Sequence, residues 1–279
     1  MANNNSAANA DNLKIAVVGS SGRMGQMLVR EVMSREGCVL SGATDRKGSD
    51  FIGRDAGEVA GLGACGVIIQ DDPAPVIAAA DVVIDFTRPE ATEEHLRLAA
   101  QAGCAFVGGT TGLNDAQKQA IELAARHIPV VFAANMSVGV TLLSALTKKI
   151  AQVLDDDYDI EIVEMHHRHK VDAPSGTALL LGQSAAEGRN VVHDDVKQAV
   201  RDGHTGPRPK GEIGYATLRG GDVIGDHTVI FAGEGERIEV THKASSRHIY
   251  ASGAVRAAFW TKGRKNGVYD MADVLGLGD

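Results

Sequence analysis

The stretch LKIAVVGSSGRMG, residues 13–25, constrains the fold more than any other part of the chain. A short apolar run ends in glycine, and Met24, Leu28, Val32 and Met33 then recur at helical spacing, which predicts a strand, a glycine turn and a helix. The alternation continues with CVLSGATD (38–45) as a second strand, DVVIDFT (81–87) as a buried strand, and a helix over 89–103 stopped by Gly103. AFVGGTTG (105–112), a helix over 114–127 and IPVVFAANMS (128–137) extend it. Strands alternating with helices at this spacing imply an α/β fold with a doubly wound parallel sheet and right-handed crossovers.

After about Ser137 the rhythm changes. A long helix over 138–154 precedes DIEIVEMHHRHK (159–170), which reads as a strand, and a further helix opens at PSGT (174–177). Three alternating runs within 212–244, separated by Gly and Asp clusters, predict an antiparallel meander. Helical periodicity returns over 247–263. A chain of 279 residues accommodates a second, α+β domain beginning near residue 137.

The opening MANNNSAANADN is polar and reads as a disordered tail over 1–12, without the apolar stretch of a signal peptide. No run of about 18 apolar residues follows, so a cytoplasmic protein is expected. The net charge of −8 removes the electrostatic footprint of a nucleic-acid binder, and any local basic patch would serve something small and anionic. Cys38, Cys65 and Cys104 are odd in number and far apart, as expected of reduced thiols packed in a core.

Gly19, Gly22 and Gly25 lie where a strand gives way to a helix, and there glycine lets the backbone approach a pyrophosphate held on the N–H groups of the helix start. Any tight turn can use glycine, so the context carries the reading: the second strand ends at Asp45, where a ribose-binding carboxylate is expected. Asp45 can accept both hydroxyls of an NAD ribose, and the adjacent Arg46 can hold the 2′-phosphate of NADP. DFTRPE (85–90), GGTTG (108–112) and FAANMS (132–137) each follow an apolar strand and belong to the carboxyl edge of the sheet, where ligands of open α/β folds bind.

EMHHRHKVDAPSGT (164–177) gathers three histidines, an arginine and a lysine before a helix start. Side chains alternate faces on a strand, so His166, Arg168 and Lys170 share one face and His167 and His169 the other. A metal site is one reading, although Arg168 and Lys170 repel a divalent ion, and a solvated basic face is another. The third is acid and anion chemistry: an imidazole donates a proton, an ammonium holds an anionic substrate, and the N–H groups of Gly176 and Thr177 meet a carboxylate behind Pro174.

GSSGRMG, IDFTRPE, GTTG, FAANMSVG, EMHHRHKVDAPSGTA and ERIEVTHKASSRHIYASGAVRAAFW together resemble the ordered motifs of the 4-hydroxy-tetrahydrodipicolinate reductase, or dihydrodipicolinate reductase, family of lysine and diaminopimelate biosynthesis. The resemblance covers nearly the whole chain after the tail, and the H-H-R-H-K-x-D-A-P-S-G-T stretch is its most specific part. It implies a Rossmann-type dinucleotide-binding domain of residues 13–136 plus 248–279, with an inserted substrate-binding and tetramerisation domain over 137–247. NADPH or NADH would reduce a cyclic dicarboxylate, with His166 as proton donor, Lys170 as its partner, and His167, Lys170, Ser175, Gly176 and Thr177 binding substrate. Gly19, Ser20, Ser21, Gly22, Arg23, Met24, Asp45, Arg46, Phe86, Thr87, Arg88, Gly109, Thr110, Thr111, Ala133, Ala134, Asn135 and Met136 would hold the cofactor. The family is expected to use no metal and to form a homotetramer. Asp45 stands where Glu is familiar in the family and Met136 where Phe is, which leaves the choice between NADH and NADPH open.

Two other functions use parts of the same sequence. A dehydrogenase acting on another aspartate-derived carboxylic substrate fits the glycine turn and the TTG loop but does not call for HHRHK followed by PSGT. A redox sensor that binds NAD(H) without turnover would have no use for His166 or Lys170.

Overall fold

The computed structural model describes residues 12–278, so the tail expected over 1–12 lies outside the described residues except for Asn12. Two compact units emerge, one of residues up to Met136 with Tyr250–Gly278 and one of Ser137–Ile249. In chain order the first unit supplies β1 (Leu13–Val18), α1 (Arg23–Ser34), β2 (Cys38–Thr44), α2 (Ala56–Val59), β3 (Ile69–Gln70), α3 (Pro73–Ala78), β4 (Val82–Asp85), α4 (Pro89–Ala102), β5 (Ala105–Gly108), α5 (Asp115–Ala124) and β6 (Pro129–Phe132). The second supplies α6 (Val138–Val153), β7 (Asp159–His166), α7 (Gly176–Gly188), α8 (His193–Val196), β8 (Lys197–Gln198), β9 (Ile213–Arg219), β10 (Gly225–Gly233) and β11 (Glu236–Ala244). The chain ends with α9 (His248–Thr261), β12 (Gly267–Tyr269) and α10 (Met271–Leu275).

The first unit is a seven-stranded sheet in the order β12-β6-β5-β4-β1-β2-β3, with every pairing parallel. This is the doubly wound Rossmann order with a seventh strand added beside β6. All of β4 and nearly all of β1 are buried, as strands covered on both faces must be, which accounts for their unbroken apolar runs. Val18, Val83, Leu96, Phe106, Ile121 and Val130 form a core on one side of the sheet. Gly103 ends α4 in the left-handed region at φ 69°, returning its N–H to Ala99. Asn114 and Gln117 start α5 as a reciprocal capping box.

Between β2 and β3 the buried Asp55 carboxylate does the work of a longer element. It accepts backbone N–H bonds from Gly57, Glu58, Cys65 and Gly66, at 2.7–3.2 Å. Burial pushes this carboxyl up, and the hydrogen bonds from Cys65, Glu58 and Gly66 outweigh it, bringing the group down to about 2.

The second unit is a five-stranded mixed sheet in the order β11-β10-β7-β9-β8. The three runs of 212–244 form strands but not the expected meander. β10 and β11 make an antiparallel hairpin, whereas β7 lies between β9 and β10, parallel to the first and antiparallel to the second. The segment after β9 crosses the end of β7, where Gly220 N–H donates to the His166 carbonyl (2.9 Å) and His167 N–H to the Val223 carbonyl (2.7 Å). Alternation shows which face of a strand is buried and is silent on its neighbour. Ile160 and Ile162 on β7, Val229 and Phe231 on β10, Leu143 on α6 and Leu181 on α7 form the core beneath the sheet.

Candidate active site

The positions expected to hold a dinucleotide follow the carboxyl ends of five adjacent strands. Gly19 follows β1, Asp45 follows β2, Phe86, Thr87 and Arg88 follow β4, Gly109, Thr110 and Thr111 end or follow β5, and Ala133, Ala134, Asn135 and Met136 follow β6. β1 and β4 are neighbours at the point where strand order reverses, the place where open α/β sheets leave a crevice. The turn suits a close backbone approach. Gly19 is left-handed at φ 66°, and a Cβ there would meet Thr87 Cγ2 at 2.7 Å. A Cβ on Gly25 would collide with the Gly19 carbonyl, so the helix packs flush against the turn. Gly22 caps α1 with no side-chain bond, and the first turn has no acidic residue, so the helix start is suited to an anion.

Several of these side chains support the site instead of facing a ligand. Ser20 is buried, and its hydroxyl and N–H both bond the Thr44 carbonyl, tying the turn to β2. The buried Thr110 bonds Thr92 at 2.8 Å. Asp85 is fully buried and accepts from Thr87 N–H (2.7 Å), Thr87 Oγ1 (2.6 Å) and His95 Nδ1 (2.8 Å), which fixes the loop bearing Phe86 to Arg88. The Asp45 carboxylate is engaged by the hydroxyls of Ser21 and Ser49, and Arg46 beside it is exposed. Met136 requires a correction: it is fully buried, and its carbonyl lies against Gly253 of α9, so its side chain belongs to the core.

In the second unit the basic segment is organised by an acid. Glu164 and His166 lie two residues apart on β7 and so share its buried face. Glu164 Oε2 lies 2.6 Å from His166 Nδ1 and accepts from Arg219 of β9 at 2.8 Å; Oε1 accepts from the other Arg219 nitrogen at 3.0 Å and from Ser175 N–H at 3.1 Å. Burial pushes the Glu164 carboxyl up, but the Arg219 and His166 bonds prevail and hold it below its ordinary value. An ionised carboxylate at Nδ1 makes that nitrogen the donor and leaves Nε2 as the working nitrogen. Nε2 sits beside Gly225 of β10, where a Cβ would lie 3.0 Å away.

β7 stops at His166, which corrects the expected strand over 159–170. The chain turns at Arg168 and His169, with Lys170 N–H donating to the His167 carbonyl at 3.1 Å, so strand alternation does not set the direction of Lys170. The Lys170 ammonium is held by both Asp172 oxygens at 2.8 and 2.9 Å. His167 lies near His169, and its basicity is lowered by burial and by the Arg247 charge.

The helix start also differs from expectation. Pro174 precedes the N-cap Ser175 instead of occupying the first turn of α7, and Gly176 and Thr177 are the first helical residues. Ser175 was expected among the substrate contacts, but it is buried, accepts from Ala178 N–H (3.2 Å) and bonds His227 Nε2 (3.0 Å). Its hydroxyl serves the helix and the histidine behind it.

Sequence reading missed Glu164, Arg219, His227 and Asp172. Glu164 was detectable, since a carboxylate two positions from a histidine on a strand shares its face. Arg219 and His227 come from strands whose pairing with β7 the alternation did not reveal. His227 packs edge-on to His166 with ring centroids 5.1 Å apart.

A glycine turn at the switch point of a doubly wound sheet defines the class, the Rossmann-type dinucleotide-binding proteins. Two models described as dihydrodipicolinate reductase, N-terminus and C-terminus, match residues 13–136 and 139–275. The 4-hydroxy-tetrahydrodipicolinate reductase of Brucella abortus is 57% identical over 94% of this chain and 98% of its own length. That of a Chelativorans species is 57% identical over 96% and 97%. Among solved structures, a dipicolinate-bound dihydrodipicolinate reductase from a Paenisporosarcina species superposes with a TM-score of 0.73 at 25% identity, over 94% of this chain and 98% of that one. The chain belongs to the dihydrodipicolinate reductase family.

Burial, and then the neighbouring His166, push His227 down to about 4 from an ordinary value of 6.5. Between these two values the unfolded chain binds a proton that the folded one refuses, so stability falls as pH drops from 6.5 to 4. His227→Gln, which can still bond Ser175, is expected to remove about 2–3 kcal/mol of that loss. Urea midpoints at both pH values check this, and equal slopes in the two proteins would contradict it.

Proposed function

We propose that this protein reduces 4-hydroxy-tetrahydrodipicolinate, by way of dihydrodipicolinate, to tetrahydrodipicolinate in lysine and diaminopimelate biosynthesis, using NADPH or NADH. The observation that carries the reading is the His166 imidazole, hydrogen-bonded at Nδ1 to a buried carboxylate, on a strand whose neighbouring α7 begins at Gly176 and Thr177. Acid and anion site therefore share one scaffold.

The residues divide the labour. Lys170, His167 and the N–H groups of Gly176 and Thr177 bind the substrate carboxylates, a dianion suited to a cationic turn and a helix start. The nicotinamide, when bound, supplies the hydride that adds to one carbon of the conjugated double bond. His166 donates a proton from Nε2 to the adjacent carbon, and Lys170 steadies the negative charge that develops before the proton arrives. Loss of water from the hydroxylated substrate precedes this step, so the atoms balance as one hydride and one proton added. In the dinucleotide unit, Asp45 takes the ribose hydroxyls and Arg46 the 2′-phosphate, a pairing that serves both cofactors.

The reading further places the protein in the cytoplasm; among the described residues no helix is long and apolar enough to cross a membrane. It also places the five-stranded sheet in a homotetramer. Val163 and Met165 of β7, Leu218 of β9 and Ile230 of β10 share the face of the sheet opposite the core and are half-buried or exposed, which supports an interface there. Native mass spectrometry is expected to find four chains per particle, and a monomer would contradict this.

The test follows oxidation of NADPH and NADH at 340 nm on adding freshly generated substrate. Both cofactors are expected to be oxidised by the wild type, with His166→Ala and Lys170→Ala each at least about a hundredfold slower. No oxidation by a wild type that binds cofactor would overturn the reading.

A further inference from the structure

Glu164 is 1% exposed, and its carboxylate receives four hydrogen bonds. Burying this carboxylate against Arg219 carries a desolvation cost that apolar residues would avoid, so a purely structural role would have been easier to build without charge. What this pair does that an apolar pair could not is determine which nitrogen of His166 carries the proton.

We propose that Glu164 is the positioning residue for proton donation: with Arg219 holding its carboxylate by two parallel bonds, it fixes the His166 ring and keeps Nδ1 protonated, so that Nε2 is the nitrogen that gives its proton to the substrate. The proposal rests on the reductase reading for the identity of the proton's acceptor.

The surroundings of His166 support this from each packed element. On β7 itself the facing ion is Glu164. β9 contributes Arg219, whose guanidinium also donates to the Asp172 carbonyl at 2.7 Å. β10 contributes the edge-on ring of His227, kept neutral by burial at ordinary pH. The turn contributes Lys170, already paired with Asp172, and His167. Glu164 is thus the anion in direct contact with the imidazole, and Arg219 shares its charge. The same carboxylate anchors the start of α7 through Ser175 N–H, so it also sets where the N–H groups of Gly176 and Thr177 stand relative to His166.

The first test needs no substrate. In 15N-labelled wild type at alkaline pH, imidazole NMR is expected to show the neutral His166 ring protonated at Nδ1. Neutral His166 protonated at Nε2 would overturn the proposal, and the result does not depend on whether the protein is a reductase. Glu164→Gln keeps the shape and removes the charge. In steady-state kinetics kcat should fall by about tenfold to a hundredfold at pH 8 while the KM for the dicarboxylate changes less than about twofold. The alkaline fall of kcat should move to lower pH, since the protonated ring loses its anionic partner. Glu164→Asp, which keeps the charge, should return that limb toward the wild-type position. An unmoved limb in a folded Glu164→Gln protein would make Glu164 merely structural. Wild type with the expected tautomer but no turnover would instead sink the reductase reading alone.

Discussion

The candidate site of the second unit depends on one buried carboxylate. Glu164 joins three elements that are distant in sequence: the end of β7, the end of β9 through Arg219, and the start of α7 through Ser175. Each donor reduces the cost of burying the charge, and each is positioned by doing so. An imidazole, an ammonium-bearing turn and a helix N-terminus are thereby held together within one unit. The mixed sheet serves the same arrangement, since β7 between β9 and β10 lets Arg219 reach Glu164 from one side and His227 reach His166 and Ser175 from the other.

The dinucleotide unit solves a comparable problem with Asp85. Three donors converge on this fully buried carboxylate, two from Thr87 and one from His95 on α4. The loop after β4 therefore leaves the sheet in one conformation, close enough to the glycine turn that only a residue without Cβ fits at Gly19. In both units a buried acid fixes the loop or strand end that carries candidate ligand-facing groups.

Much of the first unit was legible in the sequence because its signals are local. Apolar runs of four to six residues, a helix stop at Gly103 and the Asn114 cap all depend on near neighbours. The region between β2 and β4 was not legible. β3 has two residues and α2 four, and the loop joining them is held by Asp55, whose partners lie up to 11 positions away. On the substrate side, His166, Lys170 and the helix start stood out as residue types in a motif. The Glu164 network did not, because it joins strands through pairings that alternation does not encode, and because a strand expected to run through Lys170 ended at His166 once the chain after β9 crossed over it. Met136 and Ser175 show the same limit: their place in a motif was visible, and their burial was not.

Binding of a planar dicarboxylate joins these features in one experiment. Dipicolinate titrated into 15N-labelled protein should shift the backbone amides of Gly176 and Thr177 and the His166 ring in parallel, with one dissociation constant. Saturable shifts confined to other residues, or no shifts at millimolar dipicolinate, would show that the strand end of β7 and the start of α7 do not form a single substrate site.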